Sequence, residues 1–162
     1  MEVRDDSANC FVRLTPISYQ FQKRNGDPYD DNWLIIKGRV QDVNRAWTFQ
    51  DPALLVGEAQ SISAWLREVA AGRGVPMQAN DDGELWPTLQ MIEPNIGLGL
   101  VECTPTSATL RFFLWLESAP PSTVKQGEVD MEYFLDLTTE LANLEAAAAE
   151  WDSQLAQFPH RS

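Results

Sequence analysis

The strongest periodic signal lies near the end of the chain. Leu141, Leu144, Ala148, Trp151, Leu155 and Phe158 step by three and four residues, drawing one apolar seam along a helix of about five turns. Thr138 or Thr139 is placed to cap this helix, and Glu140 suits the positive end of its dipole. A second seam, Ile62, Trp65, Leu66 and Val69, predicts a helix over about 58–71, with Gly72 as its stop. Residues 33–41 alternate instead. Trp33, Ile35, Lys37 and Arg39 share one face of a strand, and Leu34, Ile36, Gly38 and Val40 share the other.

Further strand-like runs cover 10–21, 46–49, 84–90, 96–103, 108–117 and 129–137. Pro16 interrupts the first of these and calls for an edge or a bulge there. Turn formers fill the intervals: Asn25-Gly26 and Asp27-Pro28, Asp42–Arg45, residues 73–83, Thr104–Ser107 and 118–127. The predicted order is β-β-β-α-β-β-β-β-α, without a visible sequence repeat. Short links between successive strands imply an α+β fold. We expect an antiparallel, meander-like curved sheet of about seven strands with two packed helices, in a single domain over 1–162. Trp65, Trp86, Trp115 and Trp151 are expected to help fill its core.

Charge adds the next constraint. The 162 residues hold 24 Asp+Glu against 12 Lys+Arg, a net charge of −12. The excess is uneven: residues 1–73 carry ten acids and nine bases, and residues 74–162 carry fourteen acids and three bases. Between Lys125 and Arg161 no positive residue occurs, so the outward face of the last helix is expected to be acidic or neutral. Such a field repels nucleic-acid backbones and steers cationic partners inward. The bland alternative is an acidic coat that serves solubility. No apolar stretch approaches the length of a membrane span, the N-terminus lacks the apolar core of a signal peptide, and Cys10 and Cys103 form no disulfide framework. The expectation is a cytoplasmic protein without membrane association.

Catalytic residue types are scarce. The one histidine, His160, stands near the chain end, where chains are usually frayed, so a Ser–His or Cys–His pair is not expected. The usual Cys and His ligands of zinc are almost absent. Asp27, Asp30, Asp31 and Asn32 lack EF-hand spacing, since the twelfth position is Gly38 where a bidentate Glu is needed, and a hairpin loop is the stronger reading. Gly97-Leu98-Gly99 precedes a strand and Gly72-Arg73-Gly74 lacks a Gly-Lys-Ser/Thr ending, so neither reads as a phosphate loop. With 24 acids, carboxylate chemistry is neither specified nor removed. No cofactor and no catalytic or metal-binding residue is expected. A metal- or carboxylate-dependent enzyme and a small-ligand-binding domain remain the alternatives to a binding protein.

A set of ordered segments carries a resemblance: Phe11-Val12-Arg13-Leu14, Asn25 to Asp31, Asn32-Trp33-Leu34, Glu93-Pro94-Asn95-Ile96, Leu116-Glu117, Pro120-Pro121 and Glu150-Trp151-Asp152. Over roughly 9–158 the chain resembles the WapI-type immunity proteins. The resemblance implies a non-enzymatic bacterial protein that neutralises the toxin domain of a large cell-wall-associated protein, a nuclease acting on tRNA. A nuclease presents a basic surface to RNA, and an acidic inhibitor covers it. The expected contact residues are Asp27, Asp30 and Asp31 in the early loop, and Glu128, Asp130, Glu132, Glu140, Glu145 and Glu150 in the lysine-free C-terminal region. For each of them a solvated face is the competing reading.

Overall fold

The computed structural model describes residues 1–7, 9–121 and 131–161. Among them the chain forms one four-stranded antiparallel sheet, β1 (Glu2–Arg4), β2 (Phe11–Tyr19), β3 (Trp33–Gln41) and β4 (Ala46–Leu55), followed by α1 (Val56–Ala70). A second four-stranded antiparallel sheet follows, β5 (Leu89–Gln90), β6 (Ile96–Cys103), β7 (Ser107–Leu114) and β8 (Phe134–Glu140), and ends in α2 (Leu141–Leu155). The α+β class and the antiparallel meander agree with the sequence reading. The single sheet of about seven strands is corrected to two sheets of four. The missed strand is β1, whose three residues pair with Phe11–Arg13; three mostly polar residues are too short to show a period.

The same topology therefore occurs twice, although the sequence shows no repeat. In each half a four-stranded meander runs without a loop into a helix of 15 residues. The fourth, seventh, eighth and eleventh positions are buried in both helices: Ala59, Ile62, Ser63 and Leu66 in α1, Leu144, Ala147, Ala148 and Trp151 in α2. These stripes face one another, and Trp151, fully buried, donates its indole N–H to Ala59 O at 2.7 Å. One hydrophobic cluster runs through both sheets and both helices, from Val12, Leu34 and Ile36 to Leu98, Leu110 and Phe112. Burial of this apolar surface is the main driving force for folding.

The prolines act locally. Pro16 coincides with a register shift between Pro16 and Ser18, and β1 pairs only with Phe11–Arg13, so the missing N–H falls where no neighbouring ladder needs it. Pro52 sits beside a second shift, between Leu34 and Ile35. That bulge lets β4 continue to Leu55, past the expected end at Phe49.

Both helix ends are legible in hydrogen bonds. Gly72 has φ +71°, Gly72 N–H donates to Val69 O at 2.9 Å and Arg73 N–H to Glu68 O at 2.9 Å, the paired bonds of a Schellman stop. At the start of α1, Glu58 accepts the Leu55 N–H at 2.8 Å and the Ile92 N–H at 2.7 Å, tying the second half to the first. The start of α2 departs from expectation. Neither Thr138 nor Thr139 caps it, because both lie in β8. Asp6 accepts the Glu140 N–H at 2.9 Å instead, and Thr106 O accepts the Leu141 N–H at 3.0 Å.

Gly97 and Gly99 mark a close approach. A Cβ on Gly99 would fall 2.1 Å from the Met77 sulfur, and one on Gly97 2.8 Å from Pro87. The connection from α1 to β5 thus crosses the outer face of β6, and Ile96–Leu100 is buried throughout.

Candidate functional site: an acidic cleft between the halves

Two short 3-10 turns, the strand β4 and one connection place four carboxylates near one another at the junction of the sheets. Asp30 comes from the turn Asp30–Asn32, Asp51 from β4, Glu93 from the connection into β6, and Glu117 from the turn Leu116–Ser118. Asp30, Asp51 and Glu93 line a cleft of about 390 Å³, with Gln20, Phe21, Trp33 and Pro52 completing its wall. Phe21 is 42% exposed, whereas Trp33 is 9% exposed and meets Tyr29 edge-on at 5.6 Å.

The junction is rigidly specified. Asn95, fully buried, donates its Nδ2 to Asp51 Oδ2 at 2.8 Å. Its Oδ1 is buried with no partner among the described residues. Its backbone oxygen accepts the Trp115 N–H at 3.0 Å and the Ser118 hydroxyl. Trp47 of β4 donates its indole N–H to Ser118 O at 3.0 Å. Between these anchors Leu116 has φ +51°, a left-handed conformation adopted by no other non-glycine residue among those described. Such a backbone costs on the order of 1–3 kcal/mol and persists only where its surroundings over-determine it. It sets the direction of the adjacent, exposed Glu117.

The electrostatics follow from this placement. Burial is the main cause that pushes the Asp51 carboxyl above its usual 3.8, and the charges of Glu117 and Glu93 add to it, against the opposing N–H of Asn95. Neither Asp30, Asp51, Glu93 nor Glu117 forms a salt bridge among the described residues. Asp42, near the opposite end of the β3–β4 hairpin, shows the contrasting case. Burial raises it, but donation from Asn44 N–H, Tyr133 OH and Arg45 outweighs burial and holds it below the usual carboxylate value.

The expected contact residues do not form one surface. Asp30 lines the cleft. Asp31 is buried and spends its oxygens on the N–H groups of Asn25 and Gly26, at 2.8 and 3.1 Å. Asp27 accepts the Tyr29 N–H at 2.8 Å and so shapes the same turn. Glu145 pairs with Arg67 at 3.2 Å, and Glu150 stands 3.6 Å from the Met1 amino group. Glu140 is exposed where β8 runs into α2. Glu128 and Asp130 lie outside the described residues. Glu132 lines a separate groove of about 340 Å³ on the outer face of the second sheet, with Glu84, Trp86, Trp115 and Phe134.

Trp86 corrects one expectation. It is 46% exposed and meets Trp115 edge-on at 5.8 Å, so it lies on that groove and not in the core. The acidic face expected for the last helix is also changed, since Arg67 of α1 reaches Glu145 and Asp152, the latter at 2.7 Å. The C-terminal tail is docked at least through Arg161, whose guanidinium lies 3.4 Å over the Tyr19 ring and whose backbone exchanges hydrogen bonds with the Asn32 side chain. That clamp steadies the turn carrying Asp30.

Sequence reasoning missed Asp51, Glu93, Asn95 and Glu117 as site residues. Asp51 precedes a proline in what resembled a strand end, and the other three lie in connections. Glu93 and Asn95 in the segment Glu93-Pro94-Asn95-Ile96, and Glu117 in Leu116-Glu117, had stood out only as parts of a resemblance.

Among the described residues no trio of His, Cys, Asp or Glu is arranged to hold a metal ion, and no helix is long and apolar enough to cross a membrane. No curated protein and no solved structure matches the chain. The model of one family does match, over residues 4–159, nearly the whole length, and the chain belongs to that family, the immunity protein WapI-like family.

Proposed function

We propose that this protein neutralises a toxin by covering it, that the toxin domain is a cationic nuclease, and that the acidic cleft is the centre of the contact. Membership of an immunity protein family implies a toxin partner and a non-enzymatic role. The observation that supports the finer reading is the cleft itself: Asp30, Asp51 and Glu93 line it, the charge of Glu117 acts on Asp51, and none of the four has a salt-bridge partner among the described residues. Leaving such charges together raises the energy of the free protein, and a basic partner removes that cost on binding. The nuclease would lose access to RNA because the surface that holds phosphates is the surface the cleft engages. A nuclease toxin acting on intracellular RNA places this encounter in the cytoplasm.

The test is titration calorimetry against a panel of basic nuclease toxin domains, at about 50 mM and about 500 mM salt. At least one complex is expected, with loss of nuclease activity in the mixture and weaker binding at the higher salt. Absence of any complex, or a complex indifferent to salt, overturns the reading.

A further inference from the structure

We propose that the outer face of the first sheet is a self-complementary contact surface, on which two copies of this chain dock about a twofold axis near Ile35. The inference goes beyond the toxin reading and does not depend on it.

The strands define the face. In β3, Leu34, Ile36 and Val40 are fully buried in the core, so Trp33, Ile35, Lys37 and Arg39 point the other way. One row across the sheet joins Glu2, Arg13, Arg39 and Thr48, and the next joins Thr15, Lys37 and Gln50. These two rows hold three cations against one acid, in a chain whose net charge is −12. The one acid is shared, since Glu2 pairs with Arg4 at 2.9 Å and with Arg13 at 2.8 Å. Lys37 and Arg39 are exposed and have no salt-bridge partner among the described residues.

The other end of the same face opens into the acidic cleft. Trp33 and Pro52 line that cleft with Asp30, Asp51 and Glu93, and Pro52 stands opposite Ile35 in the ladder. Between the two ends the surface is apolar. Ile35 is half-buried, and Ile17, the extra residue at the shift between Pro16 and Ser18, is 39% exposed. The charge thus changes sign over the roughly 20 Å from Trp33 to Arg39, about an apolar middle.

This arrangement is what a twofold contact requires. Such a contact joins a patch to itself, so both complementary parts lie on one face, at equal distances from its centre. Ile35 is two residues from Trp33 and two from Lys37. An axis through Ile35 runs the two β3 strands antiparallel, lays the apolar middles on each other, and sets Lys37 of each copy over the Trp33 end of the other. The result is an apolar centre within a charged rim. A different protein imposes no such symmetry, and a nucleic acid laid on the cations meets the repelling carboxylates of the cleft. The dimer covers the cleft, so a second copy and a toxin compete for it.

The experiment is sedimentation equilibrium of the full chain at about 50 mM and about 500 mM salt. A reversible species of twice the chain mass is expected at the lower salt, dissociating at the higher. Two double variants follow, Lys37→Glu with Arg39→Glu and Asp30→Lys with Glu93→Lys, both of which leave the Asp51–Asn95 bond in place. Each alone is expected to self-associate at least about a hundredfold more weakly, because like charges then face each other at both ends. Mixed in equal amounts, the two variants are expected to dimerise again, since every acidic end meets a basic one. A fold lost to substitution does not give that recovery, and circular dichroism of each variant checks it. A wild-type chain monomeric at about 1 mM and low salt, a dimer that both variants leave intact, or a mixture that stays monomeric would each overturn the inference. A monomeric chain that binds a labelled RNA oligonucleotide or a poly-glutamate peptide through Lys37 and Arg39 overturns it too, in favour of an anionic partner. A dimer in a protein that binds no toxin sinks the occlusion reading alone, and a toxin complex of a chain that never dimerises sinks this inference alone.

Discussion

The molecule carries two acidic regions of opposite construction. On the paired helices Glu145 and Asp152 flank Arg67 at 3.2 and 2.7 Å, and Glu150 faces the Met1 amino group at 3.6 Å. Asp30, Asp51 and Glu93 in the cleft, and Glu117 whose charge acts on Asp51, have no salt-bridge partner among the described residues, and burial together with Glu117 and Glu93 raises the Asp51 carboxyl. The first region is balanced from within the chain. The second is left for something else to balance. Counting acids along the sequence pointed to the first region, because α2 has no cation of its own. The cation comes from α1 across the helix pair, and only packing brings it there.

Four predictions break or sharpen this contrast, in descending order of effect. Charge reversal in the cleft, Asp51→Lys with Glu93→Lys, is expected to weaken a toxin complex at least about a hundredfold, since like charges placed across an interface cost several kcal/mol. Calorimetry measures it, and retention of tight binding would remove the cleft from the contact.

Ser118→Ala attacks the same site from behind. The fully buried Ser118 hydroxyl reaches the carbonyl oxygens of Asn95 and Trp115. Its loss is expected to cost about 1–2 kcal/mol in urea unfolding and to release the turn that aims Glu117. Unchanged stability would show that the junction does not hold the cleft.

Asp51→Asn separates stability from binding. A carboxyl raised in the folded state stabilises the fold while protonated, and that contribution is lost as the pH rises through its folded value. The variant is therefore expected to melt a few degrees above the parent at neutral pH, by about 2–4 °C. The gap should close as the pH falls below the ordinary 3.8. The same variant binds toxin more weakly. A parent more stable than the variant at neutral pH would contradict the raised carboxyl.

The smallest effect is expected on the helices. Glu145→Gln with Glu150→Gln should change toxin affinity by less than about twofold, because exposed pairs of this kind contribute little. A loss as large as that of the cleft variant would move the contact to the helix face.

Much of the fold was legible. The periods of three and four in α2, the alternation of β3 and the stop at Gly72 each report a local property: which side of an element meets the core, or where the backbone must turn left-handed. Elements with little local signal were missed. β1 has three residues, and β4 runs past Pro52 because a bulge absorbs the missing donor. The candidate site was far less legible. Asp30 was anticipated, whereas Asp51, Glu93, Asn95 and Glu117 were not, since no spacing rule connects a strand, a connection and a 3-10 turn.

The sequence by itself determined the α+β class, the two helices, the acidity and the family resemblance, because these depend on short-range periodicity, composition and ordered segments. Tertiary structure alone decided that the strands divide into two sheets with the same topology, that Arg67 of α1 pairs with Glu145 and Asp152 of α2, and that the uncompensated carboxylates lie at the seam between the halves. The physical reason is range. A side chain's period acts over one turn or one pleat, whereas the charge state and availability of an acid depend on whichever groups the fold brings within a few ångströms.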